Sequence, residues 1–154
     1  MSTLQSISIR VEHDPSREDA VIAHSILHEI QTLLERLLAE GQGGTIDLRS
    51  LPALSPASIA MLEQSLSVGE VSALVTAVGR TEVRETTYSG VWWLVHRNER
   101  DDIVTELIQV TAVPEILLSQ TEDIEAGLRR LNDALSSVNG EEFMDRPADE
   151  VVTP

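Results

Sequence analysis

The first clear pattern along the chain is helical and lies between residues 16 and 40. Apolar residues recur there every three or four positions, which places them on one face of an α-helix. Ser16 is the predicted N-cap and the glycines from Gly41 to Gly44 are the predicted stop signal, because glycine adopts left-handed backbone angles cheaply. The broad apolar face comprises Ile22, Ile26, Ile30, Leu33 and Leu37, widened by Leu27, Leu34 and Leu38.

A short strand and a second helix are predicted after the glycines. Residues 45–48 alternate in polarity, as a half-buried strand does. Ser55 is the predicted N-cap of the helix and Pro56 its first residue, a position where the missing N–H of proline has no cost. The apolar stripe of this helix consists of Ile59, Leu62 and Leu66.

Beyond Gly69 the pattern changes to β-rich runs separated by short polar or glycine-containing links. Four consecutive strands with short links predict an antiparallel meander. The four runs cover residues 71–78, 82–88, 91–97 and 103–113.

A third amphipathic helix is predicted after Pro114, with a narrow apolar seam. Asn139-Gly140 is the predicted end of this helix, because both residues tolerate left-handed backbone angles. The seam consists of Ile124, Leu128, Leu131, Leu135 and Val138.

These elements predict an α+β fold with two layers. An antiparallel four-stranded meander, with one or two short strands added, packs against the amphipathic helices. Residues 16–138 are expected to form one domain. Residues 1–15 are an N-terminal strand or arm that contains the alternating stretch 7–11, and the acidic residues 139–154 are expected to be a disordered tail.

Trp92 and Trp93 are adjacent in the third run of the meander, so they point to opposite faces of the sheet. Whichever face packs on the helices, one tryptophan lies on the other face. We therefore expect one tryptophan in the core and the other half exposed, where a tryptophan can anchor an interface.

Composition excludes several classes of function. The 154 residues include neither Cys nor Lys, which excludes disulfides, thiolate metal sites, Schiff-base chemistry and a phosphate-binding P-loop lysine. A net charge of −15 disfavours nucleic acid and anionic membranes as partners. No signal peptide or membrane span is recognisable, so a cytoplasmic location is expected.

Two further groups of residues have both a functional and an ordinary interpretation. His24 and His28 are one helical turn apart and could share a metal ion, or they are two solvated histidines on a polar face. Acidic residues along the meander could meet a basic partner, or they keep the sheet edges and turns in water. They are Glu82, Glu85, Glu99, Asp101, Asp102 and Glu106.

Several motifs, taken in order, resemble the C-terminal region of the HupH/HyaF-type hydrogenase expression and formation proteins. The resemblance covers residues 33–135, and it includes the stretches 46–52 and 62–66. Its most specific parts are Gly69-Glu70-Val71, Gly90-Val91-Trp92 and Val113-Pro114-Glu115.

The resemblance implies an accessory, chaperone-like protein without enzymatic activity or cofactor. It would act in the maturation of uptake [NiFe] hydrogenases by binding a hydrogenase subunit, the small iron–sulfur subunit in particular, or another maturation factor. The alternative is a small-ligand or metal-binding domain that uses His24 and His28. The partner surface implied by position comprises Gly69, Glu70, Gly90, Trp92, Trp93, Pro114 and Glu115, although the glycines and the proline also suit turns.

Two departures from the family pattern carry information. Relatives commonly have a basic residue where this chain has Trp93, and they typically contain two such modules where this chain has room for one. We therefore expect a homodimer with two-fold symmetry. The expected contacts are the seam of the third helix or an exposed edge of the meander, and the alternative is a monomer whose third helix packs on its own sheet.

Overall fold

The structure of the protein is a computed structural model that describes residues 15–52 and 54–144. The predicted strand or arm over residues 7–11 lies outside these ranges. The helices are α1 (Pro15–Glu40), α2 (Pro56–Leu66) and α3 (Thr121–Met144). The strands are β1 (Gly44–Asp47), β2 (Ser72–Ala77), β3 (Gly79–Glu85), β4 (Val91–Arg97) and β5 (Ile103–Val110), and two short 3-10 helices cover Leu48–Ser50 and Glu115–Leu117.

The five strands form one antiparallel sheet in the order β1-β5-β4-β3-β2. The predicted four-stranded meander is therefore confirmed, and β1 is added beyond β5. Trp93 of β4 lies opposite Arg84 of β3 and Ile108 of β5, and Ile108 lies opposite Ile46 of β1. The α+β class predicted from the pattern is confirmed.

Helix α1 has the predicted apolar face, with two differences at its ends. It begins at Pro15, so Ser16 lies in the first turn and the predicted cap at that position is wrong. At the other end Gly41 has a φ of 71° and its N–H donates to the carbonyl of Leu37 at 3.0 Å, which confirms the stop signal. Leu38, counted with the apolar face, is 87% exposed, because it lies at the margin of the stripe.

Helix α2 begins as predicted, with the Ser55 hydroxyl accepting a hydrogen bond from the N–H of Ser58. The same two serines connect α2 to α1, since both hydroxyls donate to Oδ1 of Asp19, at 2.5 Å from Ser55 and 2.8 Å from Ser58. These hydrogen bonds, that of Ser55 first, lower the pKa of Asp19 below its ordinary value, while partial burial opposes the shift.

The hydrophobic core lies between α1, α2 and one face of β1, β5 and β4. Within the described residues, neither β2 nor β3 contributes to this core. The buried members are Ala23, Ile26, Ile30, Leu33, Ile46, Leu48, Leu62, Leu66, Val91, Trp93, Ile108 and Val110.

The chain divides into two compact units, residues 1–114 and residues 115–154. In the second unit α3 continues through Asn139-Gly140 to Met144, so the predicted helix end is wrong. A glycine inside a helix costs only about 1 kcal/mol, which the helix-compatible residues that follow can offset. Six residues of the predicted tail are thus helical, and residues 145–154 lie outside the described part.

The seam of α3 keeps the predicted spacing. Its first four side chains are between 55% and 60% exposed. They are Ile124, Leu128, Leu131 and Leu135.

Candidate functional site

The two tryptophans lie on opposite faces of the sheet, as predicted, and both are buried. Trp93 faces α1 and α2 and is 1% exposed, and its indole N–H donates to Oε1 of Glu106 at 3.1 Å. The Arg84 guanidinium lies 5.1 Å from the Trp93 ring centroid. Trp92, on the other face, is 5% exposed and its N–H donates to the Thr111 carbonyl at 3.0 Å.

The prediction of one half-exposed tryptophan is therefore wrong. Two residues on the same face as Trp92, Val83 and its cross-strand partner Leu94, are also buried. This face is thus shielded from solvent around Trp92, and the N–H of its indole already has a backbone partner. Trp92 therefore does not present the exposed side chain that an interface anchor was expected to have.

Three of the predicted surface residues meet at one end of the sheet, where the β3–β4 loop lies beside the end of β5. The Gly69 N–H donates to the Glu85 carbonyl at 2.9 Å, and the Gly90 N–H donates to the Glu85 carboxylate at 3.2 Å. The Gly90 carbonyl accepts from the N–H of Thr111 at 2.9 Å, and Thr111 in turn holds Trp92. Glu85, one of the acidic residues named from the sequence, and Thr111, which was not named there, connect Gly69, Gly90 and Trp92.

Both glycines have conformational roles at this end. A Cβ on Gly69 would lie 2.3 Å from the Thr86 carbonyl oxygen, too close for any side chain. Gly90 has a φ of 82°, in the left-handed region that favours glycine. Their place in the motif is therefore explained by the loop they form.

The remaining predicted surface residues are not gathered at this end in the same way. Pro114 is fully buried and Trp93 lies on the core face. Glu70 is exposed and follows Gly69 directly, and Glu115 is exposed at the start of the second unit. Of the seven residues, only Glu70 and Glu115 present an exposed side chain.

A pocket of about 280 Å³ opens beside the same loop. We call it the Tyr88 pocket; it is lined by Leu27, Ile30, Gln31, Leu34, Leu66 and Tyr88. The loop is held against α2 by the Thr87 N–H, which donates to the Leu66 carbonyl at 2.9 Å. Tyr88 is half exposed at the rim, and the Gln31 amide donates to Glu35 at 3.1 Å.

Tyr88 is not among the site residues predicted from the sequence. Tyr88 is the sole tyrosine of the chain and is followed by Ser89-Gly90, a composition typical of a loop. A tyrosine in such a loop is a residue type enriched at binding surfaces. The pocket itself needs α1, α2 and the loop together, so the sequence carries no signal for it.

Five of the six acidic residues of the meander, all but Glu99, make contacts within the described part of the chain, Glu85 with the Gly90 N–H as described above. Glu106 accepts the indole N–H of Trp93, and Glu82 and Asp101 form ion pairs with Arg80 at 3.1 and 3.2 Å. Asp102 accepts a hydrogen bond from the Asn98 side chain. These contacts favour the ordinary interpretation of the acidic residues over a docking site for a basic partner.

His24 and His28 lie together on the exposed side of α1, with their ring centroids 4.7 Å apart and an edge-on geometry. Within residues 15–52 and 54–144, no group of three or more His, Cys, Asp or Glu is placed to hold a metal ion. The pair has no third ligand there, and nothing in its geometry favours the metal-binding alternative.

None of the helices in the described part of the chain is both long and apolar enough to span a membrane.

Comparisons with known proteins agree with the motifs. The model of a family described as "HupH hydrogenase expression protein, C-terminal conserved region" matches residues 20–138. The hydrogenase expression/formation protein HoxQ of Cupriavidus necator is 28% identical over 118 residues, 75% of this chain and 41% of that protein. HupH of Rhodobacter capsulatus is 28% identical over 98 residues, 62% of this chain and 36% of that protein.

A solved structure shows the same architecture. The hydrogenase expression protein HupH from Thiobacillus denitrificans superimposes with a TM-score of 0.72 at 36% identity, over 75% of this chain and 96% of that one. The chain thus spans less than half the length of the curated relatives but nearly all of this solved module. The match over most of its length shows that the chain belongs to the HupH hydrogenase expression protein family, through the C-terminal conserved region.

Proposed function

We propose that this protein is a non-enzymatic, cytoplasmic accessory factor in the maturation of a [NiFe] hydrogenase. It binds a hydrogenase subunit or another maturation factor, and the small subunit is the favoured partner. The observation that carries the proposal is the family match over residues 20–138, which covers both the sheet and the loop end. The names of the relatives, hydrogenase expression/formation proteins, point to the same process.

The Tyr88 pocket is the surface that best suits a protein partner. Its wall is largely aliphatic, and its rim carries a half-exposed tyrosine, a residue type that dominates binding energy at interfaces. Tyr88 takes the place of the exposed tryptophan that the pattern of β4 predicts as an interface anchor. Gly69 and Gly90 act here by shaping the loop that presents Tyr88.

The chemistry of the partner segment follows from the pocket and the charge. A volume of about 280 Å³ lined by leucine and isoleucine suits one or two aliphatic side chains. Gln31 at the wall is hydrogen-bonded to Glu35, and the whole chain carries a charge of −15. The favoured partner segment is therefore an apolar side chain flanked by basic residues.

Co-expression with individual hydrogenase components tests both the function and the surface. The tagged full chain is produced with the small subunit, the large subunit or one maturation factor at a time, and the affinity of any co-purifying component is measured. We expect binding to one component. We expect Tyr88→Ala to weaken it by about 2 kcal/mol while the fold survives, because the tyrosine is half exposed.

Two control variants make the result specific. Tyr88→Phe keeps the ring and should bind nearly as the parent does. Val104→Ala removes an exposed apolar side chain elsewhere on the sheet and should bind unchanged. Binding lost equally in Tyr88→Ala and Val104→Ala would contradict the pocket, and no binding to any hydrogenase component would contradict the function.

A further inference from the structure

Helix α1 carries a second apolar stripe beside the stripe that faces the core. Leu27, Leu34 and Leu38 follow one another at intervals of seven and four residues, a spacing that keeps them on one side of a helix. Leu27 and Leu34 are half-buried, whereas Leu38 is 87% exposed. The stripe is therefore covered near the middle of α1 and open toward its C-terminal end.

The stripe is open there because α2 is much shorter than α1. Helix α1 has 26 residues and α2 has 11. The first turn of α2 contacts Asp19 of α1, and the last residue of α2, Leu66, lines the Tyr88 pocket with Ile30. Helix α1 continues beyond Ile30 for about 15 Å, and no further α-helix exists among the described residues up to residue 114.

The β3–β4 loop bounds the space that α2 leaves beside α1. The Thr87 N–H donates to the Leu66 carbonyl at 2.9 Å, which fixes the loop at the end of α2. A Cβ on Gly90 would lie 3.9 Å from the Leu34 side chain, so the end of the loop reaches α1. We call the resulting surface the α1 groove; it consists of the Tyr88 pocket and Leu38.

The backbone of the groove walls decides which kind of segment fits. The N–H and C=O groups of α1 bond within the helix, and the N–H groups of residues 86–88 in the loop all have acceptors within the chain. An extended peptide would find no backbone partner there and would bury unsatisfied polar groups, whereas a helix bonds its own backbone. We propose that the α1 groove binds an amphipathic α-helix of the partner protein.

The stripe sets the length and the spacing of this helix. The eleven residues from Leu27 to Leu38 rise by about 16 Å, or three helical turns, which is also the length of α2. A helix in the groove packs on the stripe through apolar side chains at positions i, i+3 or i+4, and i+7. One or two of these side chains fill the Tyr88 pocket, whose volume is about 280 Å³.

Charge favours a basic helix over a second copy of this chain. The residues that line the Tyr88 pocket are uncharged, and Glu35 lies beside them, bonded to the Gln31 amide. Glu35 has no ion-pair partner among the described residues. Arg36 comes two residues after Leu34, about 200° around the helix, and so lies on the other side of α1. A second copy, with its own Glu35 and a charge of −15, is repelled here, whereas a Lys or Arg of the partner pairs with Glu35.

This inference rests on the proposed function, since the helix belongs to the hydrogenase component that the protein binds, but the two can fail separately. A helical peptide bound in the groove of a chain that captures no hydrogenase component would overturn the function alone. A component whose binding is weakened by Tyr88→Ala but not by Leu38→Ser would overturn the groove alone.

Peptide selection on the full chain tests the kind of segment. The probe is a displayed library of random peptides of about 14 residues, enough for three to four helical turns. We expect the enriched peptides to carry apolar residues at helical spacing, Lys or Arg at other positions and no interior proline. Enrichment of extended or proline-containing motifs, or no enrichment, would overturn the proposal.

A proline substitution in an enriched peptide separates a helix from an extended segment. Proline at a central position that faces solvent should weaken binding by about tenfold or more, because it breaks the helix without removing a contact. Alanine at the same position should leave the affinity unchanged. Equal affinities of the proline and alanine peptides would contradict a bound helix.

Matched variants of the protein locate the bound peptide. Leu38→Ser removes an exposed leucine at the end of the groove and should weaken binding by about fivefold while the fold survives. Leu74→Ser removes an exposed leucine on β2 and should leave the affinity unchanged. Equal effects of these two substitutions, or a loss of binding only in Leu131→Ser on α3, would place the peptide elsewhere and overturn the proposal.

The peptide-free protein tests the other occupants of the groove. Because the chain has no Cys, Leu38→Cys introduces a single thiol, which should be alkylated rapidly in the free monomer and slowly with the peptide bound. Slow alkylation in the free monomer would show that another segment of the chain fills the groove. A dimer in light scattering that the peptide dissociates would show that a second copy does, and either result would overturn the proposal.

Discussion

The strands β1, β5 and β4 and the hairpin of β2 and β3 belong to one sheet but are stabilised in different ways. The first three lie under α1 and α2 and supply Ile46, Ile108 and Trp93 to the core. The hairpin supplies nothing to that core, and on the same face it presents Leu74 and a row of charged residues.

The difference shows that the strands that stabilise the fold are not the strands that expose a surface for binding. The covered strands hold the fold because their apolar side chains are removed from water, the dominant favourable term in folding. The hairpin is held by its ladder, by Val83, which is buried beside Leu94 on the opposite face of the sheet, and by surface ion pairs, which contribute little each. It can therefore offer an edge and an exposed face for binding without weakening the core.

The largest expected effect tests the burial contrast directly. Trp93→Ala should lower the free energy of unfolding by about 3–5 kcal/mol, because it empties the center of the covered half. Leu74→Ala in the hairpin should change it by no more than about 0.5 kcal/mol. Urea denaturation of both variants, at a concentration where each is monomeric, measures the difference. Similar losses for the two would show that the hairpin is part of the core.

A smaller effect comes from two carboxylates on the same face of the sheet. Glu106 and Glu82 both lie opposite Val95, on β5 and β3 respectively, but Glu106 is buried and accepts the Trp93 N–H while Glu82 is exposed beside Arg80. Glu106→Ala leaves a buried donor without its partner and should cost about 1–3 kcal/mol. Glu82→Ala should cost less than about 1 kcal/mol. Equal costs in urea denaturation would contradict the contrast between covered and uncovered strands.

The smallest effect concerns pH and the contact between the two helices that cover the sheet. The serine hydroxyls lower the pKa of Asp19 in the folded protein, so its contribution to stability is full above its ordinary pKa of 3.8 and is lost as pH falls further. Asp19→Asn should be less stable than the parent at pH 7, and the difference should shrink below that value. Unfolding free energies at pH 7 and pH 3 measure it; a difference that grows on acidification would contradict the shift.

Most of the local structure could be predicted because it depends on neighbours in the sequence. The three- and four-residue spacing over residues 16–40 predicts α1, and the serine and proline at positions 55 and 56 predict the start of α2. The β-rich runs gave the order of the meander. The predicted helix end at Asn139-Gly140 is wrong. One glycine destabilises the helix by less free energy than the neighbouring helix-forming residues contribute.

The candidate site was predictable only in part. Gly69 and Gly90 carried a signal, since a sharp loop demands glycine, and they do meet at one end of the sheet. The Tyr88 pocket forms only when α1, α2 and the β3–β4 loop, which are far apart in the sequence, come together. No local sequence pattern indicates how close these segments lie in the fold. The same holds for Glu85 and Thr111, whose roles exist only once β3 and β5 are placed.

By itself, the sequence determined the elements, the antiparallel meander and the opposite orientations of Trp92 and Trp93, because side-chain periodicity follows from backbone geometry. Tertiary structure decided that both tryptophans are buried, that β1 adds beside β5, and that β2 lies at the edge of the sheet formed by the described residues. Burial depends on what covers a face, and strand order depends on contacts between distant residues. Neither is a property of any local stretch of the chain.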